Sequence, residues 1–207
     1  MREVVRDSLI AVYDESLVDE LLDAHEELKR SFFLGGLRLA EVEGGRFAEA
    51  AFRLLQQETT GTFDALGSPL DTEATIRNLS SLPRGSHPDS IRLHIPRVLR
   101  VIYDIRSNRD AAHLADGIDP NTQDATLVAT TADWTLAEFV RLHHSVSADE
   151  AQRIVDDLVA RAAPIVEDFD GFLKLLRPDL SAGDQCLVRL YQRGTEGAGY
   201  SQLTRWV

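Results

Sequence analysis

Cysteine is almost absent from this 207-residue chain. Cys186 stands alone, which excludes an intramolecular disulfide framework and fits a reducing compartment. The expected role of Cys186 is a small buried hydrophobe on a helix. Lysine is scarce as well: of the 22 basic residues, 20 are arginine. That skew follows genome composition as readily as phosphate recognition and decides nothing. Basic residues as a class are outnumbered by 34 acids, for a formal net charge of −12. A general nucleic-acid-binding surface needs clustered cations, so this balance argues against one but leaves room for a local cationic pocket.

Long apolar runs are missing too, since charges break every hydrophobic stretch, and no membrane span is expected. The opening residues MREVVRDSLIAVYDE carry acids where a secretory signal would be apolar. No signal is expected, and the cytoplasm is the expected location. Sustained apolar–polar alternation is lacking, so strands are at most incidental. The glycines at 35–36, 44–45 and 194–199 stand outside any strand–GxGxxG–helix context, which leaves no phosphate-cradling loop. There is no HExxH and no nucleophile elbow. His143 and His144 are adjacent, and neighbours on a helix point about 100° apart, a poor arrangement for sharing one ion. No metal or cofactor is expected, and His143 reads as a core or interface histidine.

What is present is helical periodicity. The 43% hydrophobic and 27% charged content is that of a soluble globular protein. Val4 to Tyr13 reads as a first helix. Ser16 can cap a second, with Leu17, Leu21, Ala24, Leu28 and Phe32 on one face and Gly35-Gly36 at its end. Gly44-Gly45 precede a third, striped by Phe47, Ala50, Ala51, Leu54 and Leu55 and stopped by Gly61. A loop from Thr62 to Asp71, a helix to Leu82 and a second connection, PRGSHPDS, follow. Pro96 suits the first turn of the next helix. Asp119-Pro120 launch a long one, whose stripe runs from Ala125 through Phe139 to His143. Ser147 to Glu150 form a capping box before an amphipathic stretch from Ala151 to Ala162. Shorter helices are predicted around Gly171–Leu176, over Ser181–Gln192 and from Tyr200 to Val207. The fold class is all-α. Residues 1–146 make a helical bundle, and residues 147–207 a small helical extension. From Ser181 onward that extension looks like the first half of a winged helix, with two packed helices as the plainer reading.

One segment breaks the pattern. The stripe Leu99, Ile102 and Ile105 continues by helical steps onto Arg106, Arg109 and His113, so a core-facing face turns cationic at its end. Such an end calls for an anionic partner, an interface or a chemical task. The plain reading is an ion-pair cluster of Arg106, Arg109, Asp104 and Asp110, with His113 packed against it. The pair Asp110–Arg106 has i, i+4 spacing in the less favourable order. Spacing of Arg106 to His113 says little alone, because a chain this rich in arginine matches it by chance. Its context says more: the end of an apolar helix, then a turn-rich loop, then another long helix.

The text IRSNRDAAHLADGIDPN resembles the Arg-Asn-x-x-x-x-x-His segment of HEPN domains of the abortive-infection C-terminal type. It is also similar to a mostly actinobacterial, defence-type family with an "RNKRD…GH" segment, an "NxxDA" helix start and a "W-x-x-AE" continuation. Here these stand as Arg106–His113, Asn121-Thr-Gln-Asp124-Ala125 and Trp134-Thr-Leu-Ala137-Glu138. The resemblance covers about residues 90 to 190 and is specific over the first thirty. Ser107 occupies the place of the usual asparagine, with Asn108 one position late. The resemblance implies a metal-independent endoribonuclease of a toxin or phage-defence setting, working as a homodimer with two Arg–His pairs facing one cleft. In it Arg106 holds the phosphate and His113 is the acid or base. Arg109, Asn108 and Asp110 bind or orient the substrate. The implied partners are RNA, a second copy of the chain, and an antitoxin or regulatory protein.

The chemistry is coherent. Cleavage next to a 2′-hydroxyl needs a proton acceptor that titrates near neutrality, which histidine supplies. It also needs a permanent cation matched to phosphate oxygens, which arginine supplies. Glu49 could reach the site from the third helix. The competing function is a noncatalytic helical interaction or regulatory module, whose acidic surface meets a protein and whose C-terminal helices are a degenerate winged helix. Trp134, opposite the main stripe, reads as packing a second layer or a dimer partner rather than stacking a base.

Overall fold

The computed structural model describes residues 2–108, 119–143, 150, 154, 165–169, 172–177, 179–193 and 197–206. Eight helices lie within these residues: α1 (Arg2–Ile10), α2 (Glu15–Phe33), α3 (Leu37–Thr60), α4 (Thr72–Ser81), α5 (Ile95–Asn108), α6 (Thr122–His143), α7 (Ala182–Arg193) and α8 (Tyr200–Trp206). A two-stranded antiparallel sheet, β1 (Val166–Phe169) and β2 (Phe172–Leu175), completes the elements. The chain is mostly helical, as its periodicity predicts. Among the described residues no helix is long and apolar enough to cross a membrane.

The helix ends follow local chemistry. Asp14, rather than Ser16, caps α2: its carboxylate accepts from the Ser16 backbone N–H at 2.9 Å, satisfying a donor that the first turn leaves unpaired. Asp71 does the same for α4 through Ala74 N–H at 2.8 Å. Asn121 starts α6, accepting from Asp124 N–H at 3.0 Å and donating to its carboxylate at 2.7 Å. Gly61 ends α3 in the left-handed conformation, φ 74°, that an L side chain rarely adopts. Between α4 and α5 the connection winds into a π-helical turn, Ser90–His94, that runs directly into α5. The loop read from PRGSHPDS therefore gives way to helix at Ser90, and Pro96 is the second residue of α5.

Two sequence expectations are corrected. Gly44-Gly45 do not precede the third helix; they lie inside α3, which is 24 residues long. The stretch around Gly171–Leu176 is not a helix but contains β2, paired with β1 in the register Val166↔Leu175, Glu167↔Lys174. Opposite charges facing each other across an antiparallel pair favour that pairing. The proposed division at residue 146 falls in 144–149, outside the described residues. So does nearly all of the predicted helix from Ala151 to Ala162. Ile154 alone is described there, helical and packed on the core.

The core gathers around α3. Phe47, Phe52, Leu54 and Leu55 of α3 meet Leu17, Leu21 and Leu28 of α2, Leu99 and Ile102 of α5, and Val128, Leu136 and Phe139 of α6, all fully buried. The glycine pair is what lets α5 and α6 approach α3 closely. A methyl group added at Gly44 would collide with Val128 Cγ1 and sit 3.4 Å from Ile102 Cγ2. Across the bundle α2 and α6 are joined by a buried polar knot. Asp133 accepts from Lys29 Nζ at 2.6 Å and lies 2.8 Å from Nε2 of the buried His25. Burial pushes the Asp133 carboxyl up, but the hydrogen bond from His25 and the charge of Lys29 prevail and hold it below the ordinary carboxylate range.

The close approach at Gly44 sets the first prediction. Gly44→Ala gains helix propensity of about 1 kcal/mol but overpacks a β-branched side chain in the core, a loss of about 1–3 kcal/mol. The expected net result is a lower urea midpoint with an unchanged slope.

Candidate functional site

Of the segment Arg106–His113, the structure describes Arg106 and Ser107 in full. Arg106 lies in the last turn of α5, and its aliphatic stem rests on α3 at Gly45. A methyl group there would come within 2.9 Å of both Arg106 Cγ and Cδ, so glycine is what admits the arginine to this position. The guanidinium extends past Tyr103, with Cζ 5.9 Å from the ring centroid. Nη1 comes to 3.5 Å from Glu49 Oε1, a loose contact at the edge of hydrogen-bond distance. The side chain keeps about a third of its surface, 34%, open to solvent.

Glu49 is not a free carboxylate borrowed for the occasion. Its other oxygen lies 3.6 Å from Nη1 of Arg53, one helical turn on. Arg53 is 1% exposed and is committed to backbone: it donates to the carbonyls of Glu49 at 3.0 Å, Asp64 at 3.0 Å and Ser68 at 2.8 Å. A buried guanidinium is tolerated because its donors are spent on acceptors and a carboxylate stands beside it. Glu49 is thus shared between a structural arginine beneath it and the half-exposed Arg106 beside it. Neutralised from one side only, Arg106 retains donors for an oxyanion.

The remaining predicted site residues are placed only in part. Asn108 closes α5, and its backbone alone is described. Arg109, Asp110 and His113 lie outside the described residues, as does His144. Of the ion-pair cluster of Asp104, Arg106, Arg109 and Asp110, the first two are described, and the partner of Arg106 is Glu49, a residue the sequence pointed to. What the sequence left unsignalled is Gly45, because a glycine pair ahead of an apolar stripe reads as a boundary.

Among the described residues no group of three or more His, Cys, Asp and Glu is arranged to hold a metal. His143 lies partly buried in the last turn of α6. Its Nε2 is 2.6 Å from the Tyr13 hydroxyl and 3.6 Å from Glu58 Oε2, and its ring meets Tyr13 edge-on. Burial lowers the His143 pKa below its ordinary 6.5, with Glu58 opposing the shift, and burial beside Glu58 pushes the Tyr13 phenol up. Cys186 is on a helix, α7, but half-buried rather than buried. Trp134 stands 43% exposed on α6.

Two outcomes are expected from this geometry. Gly45→Ala displaces the Arg106 guanidinium while leaving the melting temperature unchanged or higher, because Arg106 is flexible and the helix gains propensity; the Arg106 Nε–H resonance reports the displacement. A histidine whose folded pKa is depressed binds its proton more tightly when unfolded, so stability is full above 6.5 and falls as pH drops toward the folded value. Denaturation followed between pH 7.5 and pH 5 is expected to show that fall, and His143→Gln to flatten it. Compared with protein-family models, with curated proteins and with solved structures, the chain finds no significant match in any of the three.

Proposed function

We propose that the chain is a HEPN-like protein acting as a metal-independent endoribonuclease, with Arg106 and His113 as its catalytic pair. The observation that carries this reading is Arg106 itself. It stands at the end of a core helix, seated on a glycine, steadied on one side by Glu49 and one-third open to solvent. A cation held in that way is pre-oriented for a phosphate oxygen, and the guanidinium fork keeps its charge throughout the reaction. His113 takes the proton of the 2′-hydroxyl or returns one to the leaving oxygen. Arg109 and Asn108 add contacts to the phosphate, and Asp110 orients a basic side chain. Two copies of the chain bring two such pairs to one cleft. The dependence on a 2′-hydroxyl restricts the substrate to RNA. The segment from residue 147 on is a helical extension resembling part of a winged helix, in which α7 and α8 follow the hairpin. The protein acts in the cytoplasm in a toxin or phage-defence setting, restrained by an antitoxin or regulatory protein.

A second reading, a noncatalytic interaction module, draws on a different observation. Leu127 and Trp134, seven residues apart on α6, expose 45% and 43% of their surfaces. Residues at i and i+7 share a helix face, and two large apolar side chains on one face suit a partner helix.

Cleavage of RNA in the presence of EDTA separates the two. Arg106→Ala and His113→Ala are each expected to reduce the rate by about 100-fold or more, with far-UV circular dichroism unchanged. Wild-type protein that leaves RNA intact would overturn the ribonuclease reading and leave the interaction module.

A further inference from the structure

Near the C-terminal end of α3 a cleft of about 240 Å³ opens between that helix, the loop after Gly61 and α4. Its floor is apolar, made by Phe63, Leu79 and Leu82. Its walls carry hydroxyls, and the direction of their hydrogen bonds decides what the cleft can hold. Thr59 Oγ1 donates to the Leu55 carbonyl at 2.8 Å, and Thr75 Oγ1 to the Asp71 carbonyl at 2.9 Å. Thr60 Oγ1 lies 2.9 Å from the carbonyls of both Gln56 and Thr62. A hydroxyl has one hydrogen, so each of these threonines has spent its donor on the backbone and offers only lone pairs.

The charged group on this side is a carboxylate, and it is oriented. Gln56 Nε2 donates to Asp64 Oδ2 at 2.8 Å, and Gln56 Oε1 accepts from the Asp64 backbone N–H at 3.0 Å. The Asp64 carbonyl is in turn fixed by the buried Arg53 at 3.0 Å. The carboxylate thus takes one hydrogen bond, and the backbone that carries it is held at both its N–H and its carbonyl. No lysine, arginine or histidine lines the cleft, and the donors it offers, on Asn78, Thr62 and Gln56, are neutral, so phosphate and carboxylate ligands meet no cation there and face the charge of Asp64. The one charge among the lining residues is negative, and a cation carrying N–H donors is what it selects.

We propose that this cleft is a binding site for a small, flat, donor-rich group, an amidinium or guanidinium, with Asp64 as its charged anchor. A planar fork of N–H donors matches a carboxylate, and its apolar faces suit a floor of Phe63 and Leu79. The volume lies below the roughly 300–1,000 Å³ of sites for drug-sized ligands, so the fitting molecule has a single ring or a short stem. The same paired-donor edge occurs on guanine, whose N1–H and N2–H can face a carboxylate. A free guanidinium compound and a guanine base are the two sources of this one chemistry. The site is separate from Arg106. Glu49 and Gln56 share a face of α3, about 10 Å apart along its axis, and the proposal stands whether or not the chain cleaves RNA.

Titration of the ¹⁵N-labelled full chain with benzamidine, guanosine, adenosine and benzoate tests it. Benzamidine is expected to bind saturably with a dissociation constant on the order of 1 mM or tighter, shifting the amides of Thr59, Asp64 and Asn78. Benzoate and adenosine are expected to bind at least about ten times more weakly. A guanosine titration that saturates at the same amides assigns the ligand to the nucleobase source, and one that does not assigns it to free guanidinium compounds. Asp64→Asn keeps the acceptor for Gln56 and removes the charge, so it is expected to weaken benzamidine at least tenfold with no change in melting temperature. Thr75→Val, isosteric and lacking the acceptor, is expected to weaken it less. Benzamidine that fails to saturate, that binds Asp64→Asn as it binds the wild type, or that is matched by benzoate overturns the proposal.

Discussion

The close approach of three helices to α3 is the constraint on which the molecule rests. Helices meet at separations set by the side chains between them, and glycine removes that spacer. At Gly44 the space goes to Val128 and Ile102, which seats α5 and α6 on α3 together. At Gly45, one residue on, it goes to the stem of Arg106. Adjacent residues point about 100° apart on a helix, so the pair serves two directions at once. One glycine packs the core and the other carries a cation to its edge. The helix tolerates the weak propensity of both because it is long and buried along one side.

Charge is arranged with the same economy. The chain is strongly acidic, yet its interior cations are placed where carbonyls and single carboxylates meet them. Arg53 is buried among backbone acceptors. Arg92 is buried too, with donors on the Leu82 carbonyl at 3.2 and 2.8 Å and on Asp89 at 2.7 Å. Both hold loops against helices. Glu138 gathers Arg141 and Ser90, and hydrogen bonding from Arg141 keeps its carboxyl below the usual range despite partial burial. Arg106 differs from these in having one loose carboxylate partner and an open face. Its position within the set, rather than its charge, distinguishes it.

Much of this was legible in the sequence, and the failures have physical causes. The stripes of α2, α3, α5 and α6 predicted the buried residues well, because amphipathic periodicity and burial are the same quantity read twice. The stop at Gly61 followed from the need for a left-handed residue after a helix. Gly44-Gly45 misled because glycine marks both a helix end and a close contact, and only the neighbouring helices distinguish them. The hairpin was missed for want of sustained alternation, since each strand is only four residues long. The cap of α2 shifted from Ser16 to Asp14 because either side chain suits the role, and local geometry chose. Of the candidate site, Arg106 and Glu49 could be named from spacing and face. Gly45 could not, since it acts by leaving room.

Arg53 has a consequence that reaches beyond stability. It fastens the loop after Gly61 through the carbonyls of Asp64 and Ser68, atoms that every residue possesses. These two anchors do not depend on which side chains stand at positions 64 and 68, although Asp64 and Ser68 add hydrogen bonds of their own to Gln56 and Ala65. Ala65 and Leu66 are exposed beside them, so substitution there leaves the path of the backbone to Arg53. A fold built in this way keeps its shape while the chemistry displayed on one edge is rewritten, residue by residue.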